Sequence, residues 1–341
     1  MGRHGRPEII EMTALYITLI AVFGMIILIN IALFVIAYII NKGVFGSRHD
    51  KNPLLKYYTA EDFNLSARQV DICCKKNKYI RGVIYKKNGV TPKKELVIFC
   101  HGMGPGHIAY TTEIAYLCDL GYTVLAPDYY GCGLSDGKNI KNINNGRDSV
   151  CAAIYYAREN LIPYGKIFLV GHSWGGHSAL CAAERTGEVS AVVSMSAPDR
   201  SEKVMYNSLR KLMPKLFADI IYPYLCLACG GVSSAQAAQN CSAKVLLIHG
   251  ENDPLIPVQV SAYGVANGEN ISKYLAKDKR HNPYNTVQAE KKLSELLKGT
   301  HKYKKGEIGE EFFKDFDFAA ATEEDGEVMG EIARFLSENT N

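Results

Sequence analysis

The part of this 341-residue chain that most restricts its fold is an apolar run that ends in Gly-x-Ser-x-Gly and continues as a helix-forming segment. Residues 166–170 are typical of a buried strand, and small and helix-compatible residues follow the motif. A strand, a sharp turn and a helix in this order is the context in which the motif presents a nucleophilic serine. Such a turn brings backbone so close that Gly171 and Gly175 occupy positions where a Cβ would collide. Ser173 is therefore predicted to stand clear of the sheet edge, with the N-terminus of a helix behind it.

Short apolar runs alternate with amphipathic helical patterns after residue 95. Continuous apolar strands that alternate with helices predict a mostly parallel sheet covered by helices on both faces, an α/β fold. Two earlier runs, at 70–74 and 79–85, predict antiparallel strands joined by a basic turn at 75–78. The predicted parallel strands are 96–100, 123–126, 166–170, 189–195 and 244–248, and the predicted helices between them are 107–120, 147–161 and 174–186.

The N-terminal region carries a long apolar run, Met12 to Ile40, in which Asn30 is the one strongly polar side chain. At about 1.5 Å per residue, a helix of this length exceeds the ~30 Å hydrocarbon core of a bilayer. A cleaved signal peptide would have a shorter apolar region followed by a small-residue cleavage site. The run therefore predicts one transmembrane helix that stays on the protein, with Asn30 either tolerated or assisting helix association.

Charge and cysteine content bear on location. Lys42, Arg48, Lys51 and Lys56 follow the apolar run, and this bias predicts a cytoplasmic catalytic domain. The ten cysteines form no disulfide framework typical of secreted chains, which favours a reducing compartment. Three Asn-x-Ser sequons, at Asn64, Asn240 and Asn270, point weakly to the other side of the membrane, but about two such matches are expected by chance in so asparagine-rich a chain. A formal charge of +4 without a basic stripe excludes nucleic acid as an expected partner.

The domain organisation follows from these patterns. We predict an N-terminal tail and transmembrane helix at 1–41, a juxtamembrane linker at 42–66, and an α/β domain at 67–341. Residues 199–242 interrupt the strand–helix alternation and are predicted to form an inserted helical lid, with an ordinary crossover plus one extra helix as the alternative. The charged, phenylalanine-containing stretch 284–321 is compatible with a substrate entrance, a membrane contact or a solvated extension.

A nucleophilic serine needs a base and a carboxylate that orients the base. When the serine follows a middle strand, the acid and the histidine are expected later, in that order, beyond the ends of strands. Asp253 lies in a proline-stiffened turn after the predicted strand 244–248, and we prefer it to Glu251 as the acid. His281 follows in a polar turn and is the expected base.

The tetrahedral intermediate would need two main-chain donors for its oxyanion. The glycine-rich turn that contains Gly102 follows the first core strand, and its glycines let backbone amides face a ligand. We assign the donors to the N–H groups of Met103 and Trp174. The turn lacks the pattern of a phosphate-binding loop, and Cys226 and Cys229 lack a second pair of metal ligands, so neither a cofactor nor a metal is expected.

With these residues placed, the chain from about residue 96 onward resembles the α/β-hydrolase superfamily. The matching segments are the His101-Gly102 turn, the segment 128–135, the elbow around Ser173, Asp253 and His281. Within the superfamily it is most similar to serine esterases and to monoacylglycerol-lipase or lysophospholipase-like enzymes, and more distantly to prolyl-oligopeptidase-type domains. Tyr130 stands where many relatives carry arginine, a departure in a structural turn.

The resemblance and the residues together imply a membrane-anchored serine hydrolase that cleaves carboxylic esters, with lipid-like esters favoured by the anchor and the apolar lid. An amidase or peptidase would use the same triad, and a thioesterase or acyltransferase would differ only in leaving group or acceptor. A non-catalytic membrane scaffold is the alternative from another class. The acyl chain, the head group and the oligomeric state are not encoded in any of these motifs.

Overall fold

The computed structural model describes residues 5–75, 78–161 and 164–340. Within these ranges one eight-stranded sheet forms the centre of the molecule. Its strands are β1 (Leu65–Lys75), β2 (Lys78–Lys87), β3 (Leu96–Cys100), β4 (Thr123–Pro127), β5 (Ile167–His172), β6 (Ala191–Met195), β7 (Lys244–Gly250) and β8 (Ile271–Ala276). The predicted tail up to His4 and the middle of the predicted basic turn, Lys76 and Asn77, lie outside the described residues.

The sheet confirms the predicted mostly parallel architecture. Its strand order is β1-β2-β4-β3-β5-β6-β7-β8, and β1, β2 and β4 pair antiparallel while β3 to β8 pair parallel. Alternate side chains enter two separate cores: Ile98 and Leu169 lie in one, and Val97 and Phe168 lie in the other. Because both faces are buried, the central strands are apolar at every position instead of at every second position.

Helices cover both faces of the sheet and account for the two cores. In chain order they are α1 (Gly5–Phe45), α2 (Thr111–Asp119), α3 (Asn144–Asn160), α4 (Trp174–Thr186), α5 (Ser201–Leu212), α6 (Lys215–Cys229), α7 (Ser234–Asn240), α8 (Ala262–Val265), α9 (Val287–Lys304), α10 (Glu311–Lys314), α11 (Phe318–Ala321) and α12 (Gly326–Glu338). Side chains of α2 and α12 fill one core, and those of α3, α4 and α7 fill the other.

Helix α1 contains the apolar run. From Glu11 to Phe45 it is long and apolar enough to cross a membrane. Asn30 accepts a hydrogen bond from the Tyr224 hydroxyl of α6, with 2.5 Å between the oxygens, and its amide group donates to the Ile26 carbonyl oxygen at 2.8 Å. The polar side chain inside the run is therefore used in a helix–helix contact within the chain, one of the two interpretations that the sequence left open.

The segment after α1, predicted as a juxtamembrane linker from residue 42, forms hydrogen bonds with the α/β domain. The helix continues to Phe45, and the Arg48 guanidinium donates to the carbonyl oxygens of Ser135 and Gly137 at 2.7 and 2.8 Å. His49 forms a parallel bridge with Cys132. Arg48 thereby binds the same turn in which Tyr130 departs from the pattern of the relatives. The domain bounds themselves stay a prediction.

Between β6 and β7 the chain forms α5, α6 and α7, in the interval predicted as a lid. Helix α7 packs against α4 and so belongs to the covering of the sheet. Helices α5 and α6 pack against each other, and α6 also packs along α1. We refer to α5 and α6 as the cap helices.

The stretch 284–321 forms α9, α10 and α11. The ring of Phe312 contacts those of Phe313 and Phe316, and the ring of Phe316 contacts that of Phe318. Phe313 is buried. These aromatics anchor the stretch to itself and to α9, where the Tyr303 ring packs against Phe313. These contacts fit a solvated extension that is held in place by a few aromatic side chains, and the role of the stretch stays a prediction.

A buried glutamate of α2 and a partly buried glutamate after α11 connect this region to α2. Glu324, which bridges to Asn285, and Glu113 of α2 both have a pKa raised by burial, and the charge of Glu113 raises the pKa of Glu324 further. A carboxyl group with a raised folded-state pKa holds a proton that the unfolded chain releases above its ordinary pKa of about 4.3. The stabilisation is therefore complete below that pH and is lost as the pH rises through the folded-state pKa values.

We expect the free energy of unfolding to fall between about pH 5 and pH 8 in the wild type, and to fall less in Glu324→Gln, where no proton is released at this position. Chemical denaturation at both pH values measures the difference, with the exposed Glu307→Gln as the control. Equal pH dependence in the wild type and Glu324→Gln would show that the pair is ionised in the folded protein.

Candidate active site

A cavity of about 640 Å³ lies at the edge of the sheet where the parallel strands end. Ser173 and His281 line it, together with Met103 and Trp174. Residues from the cap helix α5 and from the C-terminal end of α1 form further parts of its wall. The residues that the sequence assigned to catalysis and to the oxyanion therefore surround one space, and Asp253 lies directly behind it.

The turn after β5 has the strained geometry expected of an elbow. Ser173 has φ 55° and ψ −120°, a conformation that a residue with a side chain rarely adopts. A Cβ on Gly175 would lie 1.9 Å from the Cys100 carbonyl oxygen, and one on Gly171 would lie 2.6 Å from the Gly175 carbonyl oxygen. The Ser173 N–H is held by the Met195 carbonyl oxygen at 2.7 Å. Both glycines are thus required by the close approach of backbone, as the motif predicts.

Ser173, His281 and Asp253 form one hydrogen-bonded chain. The distance from Ser173 Oγ to His281 Nε2 is 3.0 Å, and the distance from His281 Nδ1 to Asp253 Oδ2 is 2.8 Å. Both distances lie within the range of true hydrogen bonds. In this arrangement the imidazole can take the serine proton at Nε2 while the carboxylate fixes Nδ1–H and the ring orientation.

The Asp253 carboxylate is buried and fully engaged. Its Oδ1 accepts hydrogen bonds from the N–H groups of Leu255 and Ile256 at 2.9 and 3.0 Å. Burial opposes ionisation, but the hydrogen bond and charge of His281 and the two amides outweigh it, so the pKa of Asp253 lies below its ordinary value. Glu251, the alternative acid, is exposed and accepts from the Asp278 N–H instead. The structure therefore places Asp253, and not Glu251, behind the imidazole.

The acid loop and the histidine loop are joined side by side. Asn252 N–H donates to the Lys279 carbonyl oxygen at 2.9 Å, and a Cβ on Gly250 would lie 1.8 Å from the Arg280 carbonyl oxygen. The two loops follow the adjacent parallel strands β7 and β8, whose carboxyl ends meet at this edge of the sheet. The order of the strands thus explains why Asp253 and His281, which are 28 positions apart in sequence, lie within hydrogen-bonding distance.

The expected oxyanion donors flank the serine. Met103 and Trp174 both line the cavity, and in the described part of the chain neither main-chain N–H has a hydrogen-bond partner. The turn before Met103 is held by His101, which accepts from the Tyr129 N–H at 3.0 Å through Nε2. Nδ1 of His101 then carries the proton and donates to the Gly102 carbonyl oxygen at 2.6 Å, and burial lowers the pKa of His101 to about 4. A neutral imidazole therefore supports this turn.

A second hydrogen-bond chain connects the Gly102 turn to the histidine loop, and sequence reasoning missed it. The Tyr110 hydroxyl accepts from the Gly102 N–H at 3.1 Å and donates to His172 Nδ1 at 3.0 Å. His172 Nε2–H donates to the His281 carbonyl oxygen at 2.8 Å. Burial lowers the pKa of His172 to about 3, so the ring is neutral and can accept and donate as described. Tyr110 and His172 thus connect the Gly102 turn to the loop that carries His281.

We expect Tyr110→Phe to lower kcat roughly tenfold with little change in KM, because the Gly102 N–H and His172 Nδ1 lose their shared partner and both loops gain freedom. Steady-state kinetics with a soluble ester measures this. Tyr122→Phe is the matched control, since Tyr122 is also buried but its hydroxyl has no partner among the described residues. An equal loss in both variants, or an effect on KM alone, would contradict a positioning role.

The sequence offered only one signal for this second chain. His172 is the x of Gly-x-Ser directly before Ser173, and the structure buries this side chain. Tyr110 carries no such signal, because its contact with His172 joins residues 62 positions apart.

An eight-stranded, mostly parallel sheet with the nucleophile after β5 and the acid and base after β7 and β8 defines an α/β-hydrolase fold. Comparison with known proteins agrees. Residues 95–225 match the alpha/beta hydrolase fold family. The chain therefore has the α/β-hydrolase fold, and the matched segment contains β3 to β6 and the turn with Ser173.

Two curated relatives match parts of the chain. The probable aminopeptidase YbaC of Bacillus subtilis is 28% identical over 39% of this chain and 45% of its own length. The 2-hydroxy-6-oxononadienedioate/2-hydroxy-6-oxononatrienedioate hydrolase of Escherichia coli K12 is 33% identical over 28% of this chain and 34% of its own length. The chain thus spans less than half the length of these relatives.

A solved structure extends the likeness of fold. The Pyrococcus furiosus esterase is 20% identical, with a TM-score of 0.56, and the alignment covers 76% of this chain and 98% of the esterase. At this identity the match concerns the fold, which extends over nearly the whole esterase.

Proposed function

We propose that this chain is a membrane-anchored serine hydrolase that cleaves carboxylic esters with an apolar acyl chain, of the monoacylglycerol or lysophospholipid type. The observation that carries the proposal is the hydrogen-bonded chain Ser173–His281–Asp253 at the wall of an apolar cavity. Hydrolase activity, substrate and membrane location all rest on this proposal.

The geometry supports acyl transfer in two half-reactions, acylation of Ser173 and hydrolysis of the acyl-enzyme. Ser173 Oγ attacks the ester carbonyl carbon while His281 Nε2 takes the hydroxyl proton, and the N–H groups of Met103 and Trp174 receive the negative oxygen. The C–O bond to the alcohol breaks as His281 returns the proton to the leaving oxygen. Water then attacks the acyl-enzyme with His281 again as base, and the carboxylic acid leaves as Ser173 regains its proton.

The wall of the cavity favours an uncharged, apolar acyl group. Among the described residues that line it, none is an aspartate, glutamate, lysine or arginine. Aliphatic side chains from α1 and α5, among them Ile40, Val44 and Leu209, make up much of the wall. A charged head group would lose its hydration here without gaining a partner, so it must stay outside while the acyl chain is buried.

The named activities of the relatives fit this cavity less well. An aminopeptidase substrate carries an ammonium group, and a dioate carries two carboxylates, and each needs an opposite charge when it is buried. The likeness to the aminopeptidase keeps an amidase as the second candidate. An amidase would turn over peptide anilides at rates comparable to esters.

The proposed location follows from α1. The helix is long and apolar enough to span a bilayer, and the lysine and arginine bias after it supports a cytoplasmic domain. A substrate that partitions into the bilayer would then be concentrated next to the cavity.

We expect kcat/KM for p-nitrophenyl esters to rise from short to medium or long acyl chains by at least about tenfold, because each buried CH₂ contributes about 0.8 kcal/mol. Release of p-nitrophenol by the detergent-solubilised full chain measures this, with an alanine p-nitroanilide as the amide comparison. Turnover confined to acetyl and butyryl esters would leave a general esterase, and anilide rates equal to ester rates would favour the amidase.

A further inference from the structure

Helix α1 is longer than a bilayer requires. Its apolar part has 35 residues, which at about 1.5 Å per residue gives about 52 Å, whereas the hydrocarbon core is about 30 Å thick. The excess of about 22 Å corresponds to about 15 residues. Either the helix tilts strongly, or one end leaves the hydrocarbon and has another role.

Among the side chains of this helix that the structure describes, those buried in the protein core lie at its C-terminal end. Side chains from residue 11 to residue 29 are exposed almost throughout, and this length of about 28 Å matches one crossing of the hydrocarbon core. From Asn30 onward the helix packs along α6, where Ala37 is completely buried. The excess length therefore coincides with the part that contacts the cap.

That end reaches the active site and is fixed there. Ile40, Val44 and Phe45 line the cavity that contains Ser173. The Phe45 carbonyl oxygen accepts from the Lys141 N–H at 2.9 Å, and Arg48 binds the carbonyl oxygens of the 133–137 turn. Because these bonds begin at the last turn of the helix, the cavity is held at a fixed distance from the point where the helix leaves the bilayer.

The outward face of α6 is apolar, as in helices that lie on a membrane, and lacks the polar residues of a helix that faces water. Leu216, Phe217, Ile220 and Leu227 recur along one side and are 67%, 57%, 42% and 72% exposed. A helix on a soluble domain presents polar residues on this face. An apolar stripe flanked by basic residues is typical of helices that lie at the boundary of headgroups and acyl chains. Arg210, Lys211 and Lys215 provide the basic flank at the junction of α5 and α6.

The rim of the cavity continues this apolar surface. Leu212, at the end of α5, lines the cavity and is 82% exposed, and Leu255 on the opposite loop is 59% exposed. A soluble enzyme with a water-borne substrate gains nothing from such a rim. A mouth set against lipid would bury it.

We propose that the outer face of α6 lies in the membrane leaflet next to the catalytic domain, and that the cavity opens to this leaflet beside α1. The substrate's acyl chain then passes from the leaflet along α1 and the cap to Ser173 without crossing bulk water. Lipid is the expected neighbour of this face because α6 packs along α1, whose preceding residues cross the same bilayer. The substrate route rests on the proposed function, whereas the seating of α6 does not.

The seating of α6 is tested without any activity measurement. The full chain carrying Leu227→Cys, with the exposed Cys73 and Cys226 changed to serine, is labelled with a bimane dye and placed in phosphatidylcholine–phosphatidylglycerol vesicles. Leu297→Cys on α9 is the matched control, because Leu297 is also a leucine and also 72% exposed. We expect lipids with a nitroxide near the headgroup to quench the dye at 227 at least about threefold more than at 297.

Equal quenching at the two positions would overturn the seating of α6. Quenching at position 227 that is absent with nitroxide lipids, but appears when a nitroxide-labelled second copy of the chain is added, would overturn it in favour of a protein–protein contact.

The route is tested with Phe217→Glu and Ile220→Glu, neither of which lines the cavity. We expect hydrolysis of a vesicle-embedded 4-methylumbelliferyl oleate to fall at least about tenfold, while turnover of soluble p-nitrophenyl acetate and fluorophosphonate labelling stay within about twofold of the wild type. Unchanged oleate hydrolysis would overturn the route. If the wild type hydrolyses neither ester, the proposed function fails, and the quenching result still decides the seating of α6.

Discussion

Ser173→Ala is expected to lower kcat for ester hydrolysis by at least ~10⁴-fold and to abolish fluorophosphonate labelling. The reason is local: Ser173 Oγ is the atom that His281 Nε2 approaches at 3.0 Å at the wall of the cavity. Removal of the hydroxyl deletes the nucleophile and leaves the oxyanion donors and the cavity in place. Residual rate above the uncatalysed reaction would then report on these donors and on binding.

The matched control is Ser337→Ala, a serine on α12 outside the cavity, which should retain wild-type labelling and turnover. Thermal unfolding of both variants shows that they are folded. Labelling that persists in folded Ser173→Ala would place the nucleophile elsewhere. A folded wild type that neither labels nor turns over any ester would overturn the enzymatic proposal and favour the membrane scaffold.

Asp253→Asn is expected to lower kcat by about 10⁴-fold at neutral pH while substrate binding changes little. An amide at this position no longer stabilises the imidazolium, and it favours the wrong tautomer of His281. The substitution should lower the rate without unfolding the protein. Asparagine has the shape of aspartate, and its Oδ1 can still accept hydrogen bonds from the Leu255 and Ile256 amides.

Glu251→Gln tests whether Glu251, the alternative to Asp253 in the sequence analysis, is the acid that orients His281. Glu251 is exposed and bonded to the Asp278 amide, so we expect its rate to stay within about twofold of the wild type. A loss of activity in Glu251→Gln that matches the loss in Asp253→Asn would refute the assignment of the acid.

The pH dependence of stability gives an independent check on Asp253. Its folded-state pKa is lowered, so its ionised form contributes stability that is present above the unfolded pKa and is lost as the pH falls through the folded value. Asp253→Asn removes this contribution. The variant's free energy of unfolding should therefore depend less on pH in the acid range than that of the wild type.

Local patterns in the sequence determined the elbow and the sheet. The Gly-x-Ser-x-Gly motif between a strand and a helix encodes its own turn, since the backbone contacts that exclude a Cβ at Gly171 involve residues within one turn of each other. The predicted central strands agree with the observed ones to within a few residues, because burial on both faces makes each run apolar throughout. The acid and the histidine followed from chain order once the serine was placed.

Contacts between distant parts of the chain were decided by the tertiary structure alone. No pattern within residues 40–48 indicates that the end of an apolar helix lines the cavity, or that Arg48 binds a turn more than 80 residues away. Likewise Asn30 and Tyr224 are 194 positions apart, and Tyr110 reaches His172 only because the sheet brings two loops to one edge. The sequence by itself determined the elements and the candidate site residues, since these depend on local periodicity, turn chemistry and chain order. The shape of the cavity and its relation to the membrane helix depend on strand order and helix packing, which only the folded chain determines.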